Sequence, residues 1–194
     1  SQRVPVKPDS LKPVFPAAMR KVNFLLQRMI IKGSTIYGKR KFSRLFRKYL
    51  HRRITLEQIY IIAQQITNMY RNDGYILSKA VVPPQKIEDG AVQINVIEGY
   101  VDRVVVQGQV RGPRRLLNEY RKGILRSRPL KAKDLERYLL LVDDLPGVSV
   151  KSVLTPSKDK PGATNMTLIL SNKAYEGSLG LDNRGTKFNG PIQI

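Results

Sequence analysis

The sequence predicts an α+β protein with two tandem β-α-α-β-β units, each a small three-stranded mixed sheet covered by two helices. Strand-like apolar runs and helix-like apolar spacing follow each other in the same order twice along the 194 residues. Glycines at matched places in the two copies are 75, 73 and 72 positions apart, in the pairs Gly33 and Gly108, Gly74 and Gly147, and Gly90 and Gly162. We therefore expect two copies of one unit.

The first unit opens with an apolar run at residues 24–32, which predicts one buried strand that ends at Gly33. Residues 39–50 carry apolar side chains at helical spacing on one face and basic side chains on the other, which predicts an amphipathic helix. Thr55 is a favourable N-cap residue, and Gln58 three positions later completes the pattern of a capping box. A second helix is therefore expected to begin there.

Two further strands complete the first unit after the second helix stops near Gly74. They are predicted over residues 75–82 and 91–97. Two prolines follow residue 82, and proline cannot donate a hydrogen bond to a neighbouring strand, so residues 75–82 are expected at an edge of the sheet. This placement requires the first strand to lie beside the last.

The second unit repeats this order of elements. A strand is predicted over residues 104–107, and helices are predicted around residues 116–124 and 135–142. The last two strands are predicted over residues 147–156 and 163–170, each bounded by glycine or proline.

The two ends of the chain differ from the repeated units. Residues 1–22 contain four prolines and are expected to form an extended linker. The units themselves are assigned to residues 23–99 and 100–173. Residues 174–194 hold two strand-like pieces without a matching helix, so we expect a β-structure that continues beyond the end of the sequence.

The charge balance points to an anionic partner. The chain has 35 Lys and Arg against 15 Asp and Glu, a formal net charge of +20. The basic residues concentrate on the first helix of each unit, and a solvated face normally mixes charges of both signs. We expect an anionic surface to contact Arg40, Lys41, Arg44, Arg47, Lys48, Arg114, Arg115, Arg121 and Lys122. The alternative is that these helix faces are only solvated.

Catalysis and metal binding are disfavoured by the composition. The chain has no Cys and one His, which excludes cysteine nucleophiles, disulfides and sites rich in Cys or His. Residues 33–39 approach the pattern of a phosphate-binding loop, but Arg40 stands where that loop needs Ser or Thr for magnesium. We predict no enzyme activity, no cofactor, no metal and no small-molecule substrate.

Nucleic acid is the competing class of partner for so basic a chain. Non-specific binding at low salt follows from the charge alone. The sequence has no RNP-type aromatic motif and no zinc finger, so we predict no specific nucleic-acid partner.

Several stretches carry a resemblance to a known family. Residues 145–156 with 161–164 resemble the second POTRA domain of two-partner secretion transporters, the haemolysin secretion/activation family of the bacterial outer membrane. Residues 73–83 and 96–100 resemble the first POTRA domain. Residues 181–185 resemble the first strand of that family's transmembrane β-barrel, so residues 174–194 are interpreted as the truncated start of a barrel.

The resemblance implies a function in protein transport. POTRA domains of this family lie in the periplasm of Gram-negative bacteria, where they bind the N-terminal secretion domain of an exported partner protein. They pass it, unfolded, to the barrel pore without ATP. The partners implied are a secreted protein and the outer membrane, whose anionic lipids suit the basic faces.

An open sheet edge offers a mechanism for polypeptide capture, because an extended segment can add to it as a further strand. The predicted capture groove lies between the second helix and the edge strand of the first unit, at Gln64, Thr67, Arg71, Ile76, Ser78 and Ala80. Three alternatives remain open. The edge is capped by neighbouring chain, the chain is a basic protein that binds nucleic acid or anionic surfaces, or it is the POTRA scaffold of an outer-membrane assembly factor.

Overall fold

The computed structural model describes residues 22–108, 114–145 and 147–172. We call residues 22–99 unit 1 and the described residues from 100 onward unit 2. The elements in chain order are β1 (Asn23–Leu26), β2 (Arg28–Lys32), α1 (Lys39–Phe46), a 3-10 turn (Arg47–Tyr49), β3 (Arg52–Thr55), α2 (Leu56–Asn72), β4 (Lys79–Val81), β5 (Ala91–Ile97), β6 (Tyr100–Gln107), α3 (Arg114–Arg126), α4 (Ala132–Asp143), β7 (Val148–Pro156) and β8 (Ala163–Asn172).

Each unit has a three-stranded sheet whose last strand lies in the centre. In unit 1 the order is β2-β5-β4, with β2 parallel and β4 antiparallel to β5. In unit 2 the order is β6-β8-β7, again with one parallel and one antiparallel neighbour. The predicted mixed sheets are confirmed, and in both units the middle strand of the sequence lies at an edge.

The prediction of one strand over residues 24–32 is wrong. The strand is interrupted at Gln27, where the amides of Gln27 and Arg28 both donate to the carbonyl of Gly90. Before the break, β1 leaves the sheet and pairs antiparallel with β3, a strand that the sequence did not predict. After the break, β2 joins the main sheet. Unit 1 therefore has an extra two-stranded ribbon.

The prediction of a strand over residues 75–82 is also wrong, because only Lys79–Val81 forms one. The Tyr75 amide donates to the Tyr70 carbonyl at 2.8 Å, and the Ser78 amide donates to the Tyr75 carbonyl at 3.1 Å. These local hydrogen bonds use amides that a longer strand would need. The buried side chain of Tyr75 holds this turn against the core.

The capping box predicted at the start of the second helix is confirmed. The Gln58 amide donates to Thr55 Oγ1, and the Thr55 amide donates to Gln58 Oε1. α2 buries one apolar face, which includes Ile59, Ile62 and Ile66. These residues lie in the core of unit 1 together with Phe42 and Phe46 of α1.

The helices of unit 2 approach each other closely at Gly123. A Cβ atom on Gly123 would lie 2.2 Å from the ring of Tyr138, so α3 and α4 meet where a side chain is absent. The buried residues of unit 2 form two clusters, one around Ile124, Leu130 and Leu168 and a smaller one around Val142.

Backbone hydrogen bonds tie the two units together. The Leu130 amide donates to the Gly99 carbonyl and the Ala132 amide donates to the Gly74 carbonyl, both at 2.8 Å. Leu77 of unit 1 packs against the core of unit 2. The sequence did not show whether the connection between the units is rigid or hinged. In the structure, residues of both units hold the connection by these contacts.

Candidate functional site

The edge strand β7 offers hydrogen-bonding groups that point away from its own sheet. Its Val150 amide donates to Asp143 Oδ1 of α4 at 3.3 Å rather than to β8. Backbone amides alternate between the two sides of a strand, so the amides of Ser152 and Leu154 face the same way as that of Val150. Among the described residues, neither of these two amides has a hydrogen-bond partner outside its sheet.

β7 is also long and accessible for an edge strand. It has nine residues, against three in β4, and pairs with β8 over its whole length. Val153 is 48% exposed, and the neighbouring side chains of Lys151 and Ser152 are exposed as well. A long, exposed edge with unpaired amides is a site at which a further strand can add.

An apolar cavity of about 440 Å³ lies beside this edge. It is lined by α4, by Val150 of β7 and by one residue of unit 1, and the lining residues are Ile76, Ala132, Leu135, Glu136, Leu139, Leu140, Asp143 and Val150. Leu140 is 57% exposed, so α4 presents a large apolar side chain to solvent at this place. We call the cavity together with the outer edge of β7 the α4–β7 groove.

The α4–β7 groove combines two kinds of contact. The edge of β7 can hydrogen-bond to any extended backbone, whatever its sequence. The cavity can take apolar side chains of the same segment, and the carboxylates of Glu136 and Asp143 make its lining partly acidic. The arrangement therefore fits an extended polypeptide with apolar side chains on one face.

The corresponding edge of unit 1 is closed by its own helix. The Ala80 amide, which points away from β5, donates to Thr67 Oγ1 of α2 at 2.9 Å. The same Thr67 hydroxyl donates to the Ala63 carbonyl at 3.0 Å, so its position is fixed from both sides. In a strand of three residues, this removes the outward amide at the centre.

The residues predicted for the capture groove lie in different environments. Gln64 and Arg71 are exposed on α2, and Gln64 donates to Asn68 Oδ1 at 3.1 Å. Thr67 is buried and engaged with Ala80. Ser78 is also buried and accepts a hydrogen bond from the Gly99 amide at 3.1 Å.

Ile76 alone of the six predicted residues lines the α4–β7 groove. Sequence reasoning missed the residues that unit 2 contributes to it. A signal was present, since residues 139–141 are three consecutive leucines and a helix facing one core needs fewer. Of these three leucines, Leu140 has an exposed side chain.

A carboxylate clamp organises the loop after β2 in unit 1. Glu98 Oε1 accepts hydrogen bonds from the amides of Thr35 and Ile36 and from the hydroxyl of Tyr70, at 2.8, 3.1 and 2.7 Å. Burial raises the pKa of Glu98, but the hydrogen bonds from Thr35 and Tyr70 outweigh it and hold the pKa below its ordinary value. Burial raises the pKa of Tyr70 far above its ordinary value, so its hydroxyl remains a donor.

The predicted basic residues are mostly exposed, and in each unit one of them forms an ion pair with an acidic residue. Lys41 is tied to Asp73 at 2.9 Å in unit 1, and Lys122 is tied to Glu119 at 2.8 Å in unit 2. Arg121 is half-buried, and its buried Nε has no hydrogen-bond partner among the described residues. The remaining predicted residues, Arg40, Arg44, Arg47, Lys48, Arg114 and Arg115, are exposed.

The described residues contain no cluster of three or more His, Asp or Glu that could hold a metal ion. Within the same residues, no helix has both the length and the apolar character needed to cross a membrane. The predicted linker at residues 1–22, apart from Val22, and the predicted start of a barrel at residues 174–194 lie outside the described residues.

Comparison with known proteins identifies the type of domain that unit 1 is. The family model described as "POTRA domain, ShlB-type" matches residues 24–99. Unit 1 is a POTRA domain of the ShlB type. The resemblance to two-partner secretion transporters is thereby confirmed, and POTRA domains are periplasmic parts of outer-membrane transporters. Unit 1 is accordingly assigned to the periplasm of a Gram-negative bacterium.

The similarity to known transporters extends over most of the chain. The chain is 27% identical over 156 residues to the heme/hemopexin transporter protein HuxB of Haemophilus influenzae, a match that covers 79% of this chain and 27% of HuxB. It is also 27% identical over 172 residues to the outer membrane transporter CdiB of Dickeya dadantii, covering 88% of this chain and 30% of CdiB. These relatives are transporters, not enzymes.

A solved structure shares the fold. CdiB from Escherichia coli superposes with a TM-score of 0.70 at 21% identity, over 85% of this chain and 30% of that chain. The chain thus spans less than a third of the length of the proteins that it matches.

Proposed function

We propose that this chain is the polypeptide-capturing module of an outer-membrane protein-secretion transporter. It binds an unfolded, extended segment of an exported partner protein in the periplasm and delivers that segment to a β-barrel pore. It catalyses no reaction. The observation that carries the proposal is the open edge of β7 beside the apolar cavity of the α4–β7 groove.

Capture proceeds by strand addition at the outer edge of β7. The amides of Ser152 and Leu154 donate to carbonyls of the incoming segment, which gives binding without sequence specificity. Alternate side chains of the segment enter the cavity against Leu140 and Ile76, which gives selectivity for apolar residues. The capture surface lies mainly on unit 2, and Ile76 of unit 1 completes it.

An anionic surface is the second proposed contact. The exposed basic side chains of α1 and α3 support it, because a formal charge of +20 requires counter-charges somewhere near the protein. In the periplasm, the lipid head groups of the outer membrane supply such charges.

The capture proposal is tested by titrating the chain with unfolded N-terminal segments of exported proteins encoded beside its gene. The change Ser152→Pro removes an outward amide while it leaves the ladder between β7 and β8 intact. We expect the affinity for the segment to fall by about tenfold. This corresponds to the loss of one hydrogen bond, about 1 kcal/mol, together with a smaller loss of packing contact. Leu140→Ser is expected to weaken binding by a similar factor.

The matched control is Ile61→Ser, which changes an exposed apolar residue on the second helix of unit 1. Its affinity for the segment should equal that of the unchanged chain. Circular dichroism of each variant shows whether the fold is kept. Unchanged binding in both Ser152→Pro and Leu140→Ser would place capture elsewhere. Binding of a scrambled peptide with equal affinity would exclude selective capture.

A further inference from the structure

Basic residues follow each other from the first helix of unit 1 into its ribbon. α1, the 3-10 turn and β3 follow each other directly along the chain. Residues 39–53 hold eight Lys and Arg and no Asp or Glu. The surface that we call the ribbon–helix face consists of the exposed side chains of Arg40, Arg44, Arg47, Lys48 and Arg53.

The arginines of the ribbon–helix face lack anionic partners inside the protein. Among the described residues, no ion pair or side-chain hydrogen bond involves any of its four arginines. Lys41 lies nearby but is already paired with Asp73. The unpaired guanidinium groups are therefore available to bind anions outside the molecule, and the guanidinium fork suits phosphate oxygens.

The ribbon adds an exposed apolar side chain to this basic surface. Leu25 of β1 is opposite Arg53 of β3 in the antiparallel register, and paired residues lie on the same side of a ribbon. Leu25 is 43% exposed, whereas its neighbour Leu26 and the β3 residue Ile54 are buried on the other side. An exposed apolar side chain beside a basic one is typical of a protein surface that lies at a lipid–water interface.

The two phenylalanines of α1 are not available for nucleic-acid binding. Single-stranded nucleic acid is held by bases that stack on exposed aromatic side chains. Phe42 and Phe46 of α1 are both buried in the core of unit 1. The periplasmic location of POTRA domains also favours a lipid partner over RNA.

The basic surface of unit 2 has a different charge pattern. In α3, Glu119 neutralises Lys122 within the helix, and Arg121 is half-buried. The ribbon–helix face has no acidic residue between residues 39 and 53. The density of unpaired positive charge is therefore higher on unit 1.

We propose that the ribbon–helix face of unit 1 docks on a lipid surface that carries anionic phosphate head groups, with Leu25 entering the interface. This proposal names the partner of the anionic-surface contact under the proposed function and rests on that part of it. The docking places unit 1 on the membrane and leaves the α4–β7 groove of unit 2 for the polypeptide.

The test uses the whole chain and vesicles of one part phosphatidylglycerol to three parts phosphatidylcholine, at about 0.1 M salt, where the Debye length is about 10 Å. The triple change Arg44→Gln, Arg47→Gln and Arg53→Gln is expected to weaken vesicle binding about a hundredfold, since each basic residue at such a surface contributes about fivefold. The matched control changes Arg114, Arg115 and Arg126 of α3 to Gln. It should lose distinctly less affinity than the unit 1 variant.

Further measurements distinguish binding to lipid head groups from binding to other sources of phosphate. Leu25→Ser is expected to weaken vesicle binding about tenfold, because an apolar side chain no longer enters the interface. It should leave the binding of a duplex RNA unchanged. Inorganic phosphate at constant ionic strength should not displace the chain from vesicles.

Four results would overturn the proposal. They are equal losses in the unit 1 and unit 2 triple variants, displacement by inorganic phosphate, unchanged vesicle binding in Leu25→Ser, and binding to RNA that exceeds binding to vesicles at physiological salt. The same unit 1 variants are also titrated with the partner segment. Retained segment binding with lost vesicle binding separates the two contacts, so either can fail alone.

Discussion

The two POTRA units share a topology but differ at the edge where a polypeptide would add. In unit 1 the edge strand has three residues, and Thr67 of the covering helix takes the outward amide of Ala80. In unit 2 the edge strand has nine residues, and the amides of Ser152 and Leu154 point outward without a partner among the described residues. Edges with the same place in the strand order therefore differ in their length and in how many outward amides the adjacent helix leaves without a partner.

The two units also differ in what surrounds this edge. In unit 1 the turn before β4 folds back on the helix, and its Tyr75 side chain is buried in the core of that unit. In unit 2 the exposed Leu140 and the cavity beside it accompany the open strand. Duplication of one fold has thus given one closed unit and one open unit.

The largest effect on this comparison is expected from Thr67→Val. The change keeps the shape of the side chain but removes the oxygen that accepts from Ala80, and a buried amide without a partner costs about 1–3 kcal/mol. We expect the free energy of unfolding to fall by about 2 kcal/mol in a urea titration. Hydrogen exchange at the Ala80 amide should become faster than in the unchanged chain.

The control for Thr67→Val is Thr167→Val on β8, since Thr167 accepts no side-chain hydrogen bond among those described in unit 2. It should change the free energy of unfolding by less than about 0.5 kcal/mol. If Thr67→Val proved equally mild, Thr67 would not be what closes the edge of unit 1.

A smaller effect is expected from Glu98→Gln, which weakens the carboxylate clamp found in unit 1. Hydrogen bonds to charged groups contribute more than neutral ones, so we expect a loss of about 1–2 kcal/mol near neutral pH. Since the pKa of Glu98 is lowered in the fold, its contribution is present above the ordinary value of 4.5 and is lost as the pH falls through the folded value.

The measurement is a series of urea titrations of both proteins between neutral pH and about pH 3. The difference in unfolding free energy between the unchanged chain and Glu98→Gln should shrink as the pH falls below the ordinary carboxyl pKa. A difference that stays constant over this range would mean that the carboxylate charge of Glu98 plays no part in the clamp.

The smallest effect is expected from Gly123→Ala, which tests the close approach of the helices in unit 2. An added Cβ lies 2.2 Å from the Tyr138 ring, and overpacking of this kind costs about 1–3 kcal/mol. Alanine regains about 1 kcal/mol through its helix propensity. We expect a net loss of about 1 kcal/mol in thermal or urea unfolding. The double variant with Tyr138→Leu should restore stability, and continued loss there would contradict a steric cause.

Local sequence signals predicted the parts of the fold that depend on neighbouring residues. The capping box at Thr55 and Gln58 needs residues only three positions apart, so its pattern is visible in the sequence. The duplicated order of elements was visible because glycine positions recur. In unit 1, the two prolines after residue 82 indicated that the middle strand lies at an edge and the last strand beside the first.

Features that depend on distant pairing were not predictable. The ribbon joins β1 to β3 across a helix, and strands of four residues carry too little apolar pattern to be recognised. The shortened β4 follows from the turn of Tyr75 into the core, which no local pattern indicates. The α4–β7 groove was missed because its cavity unites Ile76 of one unit with Leu140 of the other.

The fixed joint between the units has a consequence for the effective concentration of a bound segment. The Leu130 and Ala132 amides tie unit 2 to unit 1, and the sequence continues toward residue 194 from β8. A segment added to β7 lies two strand spacings, about 10 Å, from β8. A later binding site carried by the following chain therefore meets the segment as an intramolecular partner. The local concentration of the segment at that site is set by this short distance and not by the periplasmic concentration of the exported protein.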